Sequence, residues 1–278
     1  MWRMPRSPIF FVGSSSGTTG GASTFAIPHP GSEGVMMTDD HYVGAYWGAR
    51  RETAAECARR LSRFFQGLAQ CDPTFTHWYS GGPGVPRGAP GHSVSTDERF
   101  LAALLEKSRS RTDRGKKVIE PLGFSRILWN AKRDASEIHL SCGGYSPGMM
   151  NFCLFNPIRQ GPVRERLLTE PVMTGILTRM ATAWEPDYAM VSSSEMVEAT
   201  RKQEGEVRVG WLTYLSRRLG ALPPLPAPVR IEPVGDLGWL LVLSSEPLSA
   251  GNPEHVAFTA SIRERLDRAG LIALPPPA

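Results

Sequence analysis

The 278 residues predict an α+β chain: a mainly antiparallel sheet with helices packed on one side. Three observations support this. Short apolar runs with strict alternation recur from Tyr42 to the end. Several are joined by Gly/Pro turn chemistry, as at Gly143-Gly144 with Pro147-Gly148 and at Gly235 to Gly238. Between them lie amphipathic stripes of helical period.

Tyr42 to Trp47 reads as a strand. It leads into a helix from about Glu52 to Gln70 whose Ala54, Cys57, Ala58, Leu61, Phe64, Phe65 and Leu68 form one apolar stripe. Glu56 stands four residues before Arg60, the spacing of a favourable helical ion pair. Asp72-Pro73 ends the helix, and Thr74 to Tyr79 reads as a short strand centred on Trp78. Ser80 to Gly91 is a long Gly/Pro-rich loop, and Ser95-x-x-Glu98 has the spacing of a capping box for the helix that buries Phe100, Leu101, Leu104 and Leu105.

Ile138 to Cys142 and Asn151 to Phe155 read as consecutive strands. A helix runs from about Pro171 to Trp184, with Pro171 in its first turn and Pro186 as its stop. Tyr188 to Val191 and Gly210 to Leu215 read as strands. Leu222 to Pro228 is held extended by its prolines and serves as a rigid internal connection. Val229 to Glu232 turns at Gly235 to Gly238 into Trp239 to Leu243, which is apolar on both faces and belongs in a sheet centre. Asn252 caps a last helix, which ends at Gly270.

Met1 to about Val35 differs from the rest. Gly13 to Gly21 is a Ser/Gly tract flanked by prolines, and Ile9 to Val12 is too short for a signal-peptide core. The segment reads as a disordered leader, dispensable for folding, or as an upstream misassigned start with Met36 or Met37 the first residue. Residues 36–278 then form a single α+β domain or two intimately packed halves.

Composition narrows the function classes. No stretch approaches the roughly 18 uninterrupted apolar residues of a membrane span. Cys57, Cys71, Cys142 and Cys153 show no regular spacing, a usage that points to reduced, buried thiols and a cytoplasmic protein. The net charge of +4 is mild, and acids are interleaved with bases along the helices, which argues against nucleic acid as partner and against a DNA-mimicking surface. Arg109 to Lys117 is one basic cluster; it reads as a solvated loop, with a phosphate-contact patch as the alternative.

No catalytic constellation assembles. Gly13-Ser14-Ser15-Ser16-Gly17 matches a nucleophile elbow, but no helix opens after it, so Ser15 is not expected to be catalytic. The six histidines never fall at i,i+4, and no phosphate-binding glycine loop is present, so no catalytic, cofactor or metal residues are assigned. The tryptophans are the remaining signal. Trp129, Trp184 and Trp239 lie at the ends of apolar runs and read as core. Trp47, Trp78 and Trp211 read as core or as interface anchors.

At these residues the chain resembles the immunity protein 52 family of bacterial polymorphic toxin systems. The resemblance runs from Tyr42 to Leu271. It is carried by Tyr46-Trp47-Gly48-Ala49-Arg50, Trp78, Leu122-Gly123-Phe124 with Trp129, Cys142-Gly143-Gly144-Tyr145, Ala183 to Asp187, Gly210 to Leu215 and Asn252 to His255. It implies a non-enzymatic antitoxin encoded beside its toxin, often a nuclease of restriction-endonuclease fold, and it supplies no set of binding residues. The residues alone leave open a small hydrolase with a scattered site or a phosphate-binding regulator. The expected partner surface is the irregular stretch Tyr79 to Thr96 together with the start of the first helix. Arg50, Trp47, His77, Trp78, Tyr79 and Arg87 are the candidate contacts.

Overall fold

The first strand of the described residues occupies the middle of its sheet. In the computed structural model, which describes residues 39–82, 84–86, 89–203 and 205–273, β1 (His41–Trp47) pairs antiparallel with β6 (Asn151–Asn156) on one side and β7 (Tyr188–Ser193) on the other. Outward from β6 lie β5 (Glu137–Cys142), β4 (Phe124–Trp129), β2 (Trp78–Ser80) and β3 (His92–Val94). Outward from β7 lie β8 (Leu212–Ser216), β10 (Gly238–Val242) and β9 (Arg230–Val234). All nine pairings are antiparallel, giving one continuous sheet of ten strands among the described residues. The α+β class with an antiparallel sheet is the one the sequence predicts.

Strand alternation sorts the side chains. Val43, Ala45 and Trp47 align with Phe155, Cys153 and Asn151 of β6, and with Ile138, Leu140 and Cys142 beyond them. This face receives α1 (Ala54–Cys71), α2 (Glu98–Glu106) and α4 (Glu170–Trp184). The apolar stripe of α1 is fully buried, and each of its leucines and phenylalanines contributes about 1.5–3 kcal/mol relative to exposure. Phe65 of α1 stacks on Trp78 at 4.7 Å, and Trp184 at the end of α4 stacks on Trp47 at 5.4 Å. On the opposite face Tyr46 stacks on Tyr188 at 4.9 Å, under the guanidinium of Arg208. Two residues before Arg208, Glu206 is hydrogen-bonded to the buried Arg263, which ties α6 (Pro253–Arg268), and α5 (Ser194–Thr200) packed on it, to this side.

Helix ends follow capping chemistry, not always at the residues the sequence favours. Thr53 caps α1 in a reciprocal box with Glu56, so the Glu56 carboxylate faces Thr53. Arg60 turns to Glu52 and Glu185 instead of to Glu56. Asp97, not Ser95, caps α2; the Ser95 hydroxyl accepts from the Asp97 N–H one step earlier. Asp72 caps a short 3-10 turn, Pro73–Phe75, which shortens the strand expected at 74–79 to β2. Gly270 has φ +74°, and the bonds Gly270 N–H to Asp267 C=O and Leu271 N–H to Leu266 C=O form a Schellman closure of α6. The helices α3 (Pro162–Leu167) and α5 and the strand β4 have no counterpart in the sequence reading.

Asp72 also joins α1 to α3. Its buried carboxylate takes two hydrogen bonds from Arg166, at 2.7 and 3.1 Å. That pairing, helped by Thr74, outweighs burial and holds the Asp72 pKa down at about 2, against 3.8 ordinarily. A depressed carboxylate stabilises the fold above its unfolded pKa and loses that contribution as pH falls toward the folded value. Arg166→Ala is therefore expected to lower stability at neutral pH, and to flatten the loss of stability between about pH 4 and about pH 2. Urea titrations of both proteins at neutral and acid pH measure this; equal acid slopes would count against the pair.

Candidate partner-binding surface

β1 and β2 run in the same direction, because four antiparallel steps separate them. The segment after Trp47 and the loop after Ser80 therefore leave the sheet at the same end, about 19 Å apart across four strand spacings. Between them lie the entry to β4 and the β5–β6 hairpin.

This end is pinned backbone to backbone. The Asn151 side chain, 0% exposed, donates to Gly48 C=O at 2.8 Å and Gly144 C=O at 3.0 Å and accepts from Gly144 N–H at 2.9 Å. Arg50 N–H donates to Gly144 C=O at 2.8 Å, and the N–H groups of Tyr145 and Ser146 both donate to Pro121 C=O. The approach is so close that a side chain at Gly123 (φ +63°) would meet the Cys142 carbonyl at 2.3 Å, and one at Gly143 (φ +69°) the Glu52 carbonyl at 2.9 Å. Three stretches distant in sequence, 48–53, 121–123 and 143–151, thus form one platform.

Charged side chains cover it. The Arg50 guanidinium lies 5.1 Å from the Trp47 ring centroid, with its Nε 3.1 Å from Glu52. Burial lowers the Arg50 pKa, and the neighbouring Glu52 partly restores it. Arg60 bridges Glu52 at 2.7 Å and Glu185 at 3.0 Å, and Arg218 reaches Asp187 at 3.2 Å. Exposed Arg51 stacks its guanidinium on Tyr145 at 5.0 Å. Arg109, held by Glu106, covers Phe124 at 4.8 Å. Arg126 donates to Gly81 C=O at the root of the loop, and burial pushes its pKa down.

The candidate contacts do not all gather here. Arg50 and the loop share the platform end. Trp47 and Trp78, 2% and 1% exposed, are closed to a partner by the helices above them. Trp211 is likewise core, whereas Trp239, which opens the run to Leu243 and reads from the sequence as core, is only half-buried, under Arg217. His77 is exposed but precedes β2 at the opposite end of the sheet, hydrogen-bonded to Thr76. Tyr79 is half-buried on the face away from α1, beneath Lys132. Arg87, like Ser15 and the rest of the leader, lies outside the described residues. Arg51, Tyr145 and Asn151 were absent from the candidate contacts; the Gly143-Gly144 turn preceding Tyr145 was the available signal.

A family model for immunity protein 52 matches residues 39–274, which takes in the sheet and the whole platform. The chain belongs to the immunity protein 52 family. Members of this family, as immunity proteins of toxin systems, are typically non-enzymatic. Among solved structures the chain is similar to the Pseudomonas aeruginosa T6SS protein PA0821. The identity is 14% and the TM-score 0.52, over 82% of this chain and 75% of that one, a likeness of fold. No curated protein matches the sequence. No helix among the described residues is long and apolar enough to cross a membrane.

Proposed function

We propose that this chain is an antitoxin that binds the toxin encoded beside its gene and neutralises it by stoichiometric occlusion. The observation that carries the reading is membership of the immunity protein 52 family over residues 39–274. The toxin class we assign is a nuclease of restriction-endonuclease fold. A free nuclease is lethal, so the affinity needed is nanomolar or better, about −12 kcal/mol or stronger. The contact surface we assign is the platform end, from Arg50 across to the loop at 81–91. Its span of about 19 Å fits a standard interface, roughly 800 Å² on each partner.

Co-expression with the neighbouring toxin should restore growth, and the purified pair should co-elute as a stoichiometric complex on size exclusion. If the two neither associate nor restore growth, the assignment fails. The loop is tested separately. Ser80 pairs with His92, so the intervening residues can be replaced by an Asn-Gly turn without breaking the β2–β3 hairpin. That variant should keep its melting temperature and lose toxin affinity; undiminished affinity would exclude the loop from the interface.

A further inference from the structure

Arg51 and Tyr145 make a contact surface of a specific kind. Arg51 directly precedes the acid that anchors Arg50 and Arg60, yet its own side chain projects into solvent, stacked on the Tyr145 ring at 5.0 Å. A guanidinium stacked on a ring keeps its edge N–H groups free for a bidentate acceptor. Both residues sit on backbone fixed by Asn151 and by the Tyr145-to-Pro121 hydrogen bond, so little ordering remains to be done on association. Tyrosine and arginine are also the residue types that dominate binding energy at interfaces.

We propose that the Arg51–Tyr145 pair is the anchor for a carboxylate presented by the bound toxin. The proposal rests on the toxin-binding reading and adds the chemistry of the contact. The acceptor is a protein carboxylate and not a nucleic-acid backbone because of what surrounds the pair. Glu52, Glu106 and Glu185 line the same end and hold Arg50, Arg109 and Arg60 in ion pairs. A polyanion tracking across that end meets these acids in turn, whereas a single carboxylate at the solvent-facing edge of the Arg51 guanidinium meets a cation that none of these acids holds in an ion pair. Mixed charge of this kind fixes register and partner choice.

The probe is the catalytically inactivated toxin encoded beside this chain's gene, titrated against the purified protein. Arg51→Ala and Tyr145→Ala should each weaken binding about tenfold or more, and Arg51→Glu about a hundredfold, all with unchanged melting temperature. Tyr145→Phe, which keeps the stacking ring, should retain most of the affinity. Raising the salt concentration should weaken wild type more steeply than Arg51→Ala. Tight wild-type binding that Arg51→Glu and Tyr145→Ala leave unchanged would overturn the anchor while the toxin-binding reading stands. Absence of wild-type binding would remove that reading and the anchor with it. Arg51-dependent binding of a short DNA duplex would overturn the carboxylate assignment in favour of phosphate.

Discussion

Replacing Trp184 by alanine is expected to remove about 3–5 kcal/mol of stability, the largest single-site loss we anticipate. Trp184 is 0% exposed at the end of α4, and its indole lies 5.4 Å from that of Trp47 at an interplanar angle of 15°. Trp47 in turn carries the Arg50 guanidinium, so three planar groups are layered from the core to the platform. Alanine opens a cavity under the second layer that the sheet beneath and the helix above cannot close. Trp184→Phe separates ring packing from polarity. The indole N–H is buried with only the Cys153 sulfur as a polar neighbour, so phenylalanine gives up volume and one weak N–H···S contact, and should cost less than half as much as alanine. Urea denaturation with an unchanged slope measures both. A phenylalanine variant as unstable as the alanine one would show that the stack is not what Trp184 contributes.

Asn151→Ala should cost about 3–4 kcal/mol, although it removes little volume. The loss is polar. Three hydrogen bonds go, and the Gly144 N–H and Gly48 carbonyl are left without that partner. Asn151→Asp is the sharper test. It keeps an acceptor for Gly144 N–H, but sets a carboxylate against the carbonyls of Gly48 and Gly144, where only a donor is tolerated. It should therefore be at least as destabilising as alanine, with protection from hydrogen exchange lost first at Tyr145 and Ser146. An aspartate variant near wild-type stability would show that the amide does not pin the platform.

The contrast between these two residues explains how far the sequence could be read. Long stripes and alternation were legible: α1, α4, β1, β5 and β6 fall where periodicity places them, because burial of one face dictates the spacing, and β10 was legible as a run apolar on both faces, though it lies beside the edge strand β9 and not at the sheet centre. β4 was not legible as a strand, since Arg126 stands among its inward-facing residues between Phe124 and Leu128. α5 and α3 are too short for a stripe to declare itself and owe their helicity to tertiary contact. The same limit applies to the platform. Trp47 and Arg50 were visible as a motif, but nothing in the sequence says that the ring faces inward and that the half-buried guanidinium lies over it, paired with Glu52. Nor can Asn151 be distinguished from any other strand asparagine until residues 48 and 144 meet beside it. Contacts made by backbone groups leave no residue-type signature.

The position of β1 has a consequence for how the chain reaches its fold. β6 and β7 are not paired with each other; each finds its partner in β1, which pairs His41 with Ser193 and Tyr46 with Tyr188. The other pairings join strands closer in sequence, the widest being β2 with β4, where Tyr79 lies opposite Trp129. During synthesis the β2–β6 array can assemble as soon as it emerges, and the β7–β10 array later, while the strand that unites them was made first and waits for both. Until it is inserted, β6 and β7 are two long open edges rich in apolar side chains, the surface most apt to recruit another copy. Residues 41–47 are thus the closure on which a growing chain depends to stay in solution, as well as the strand that delivers Trp47 and Arg50 to the platform.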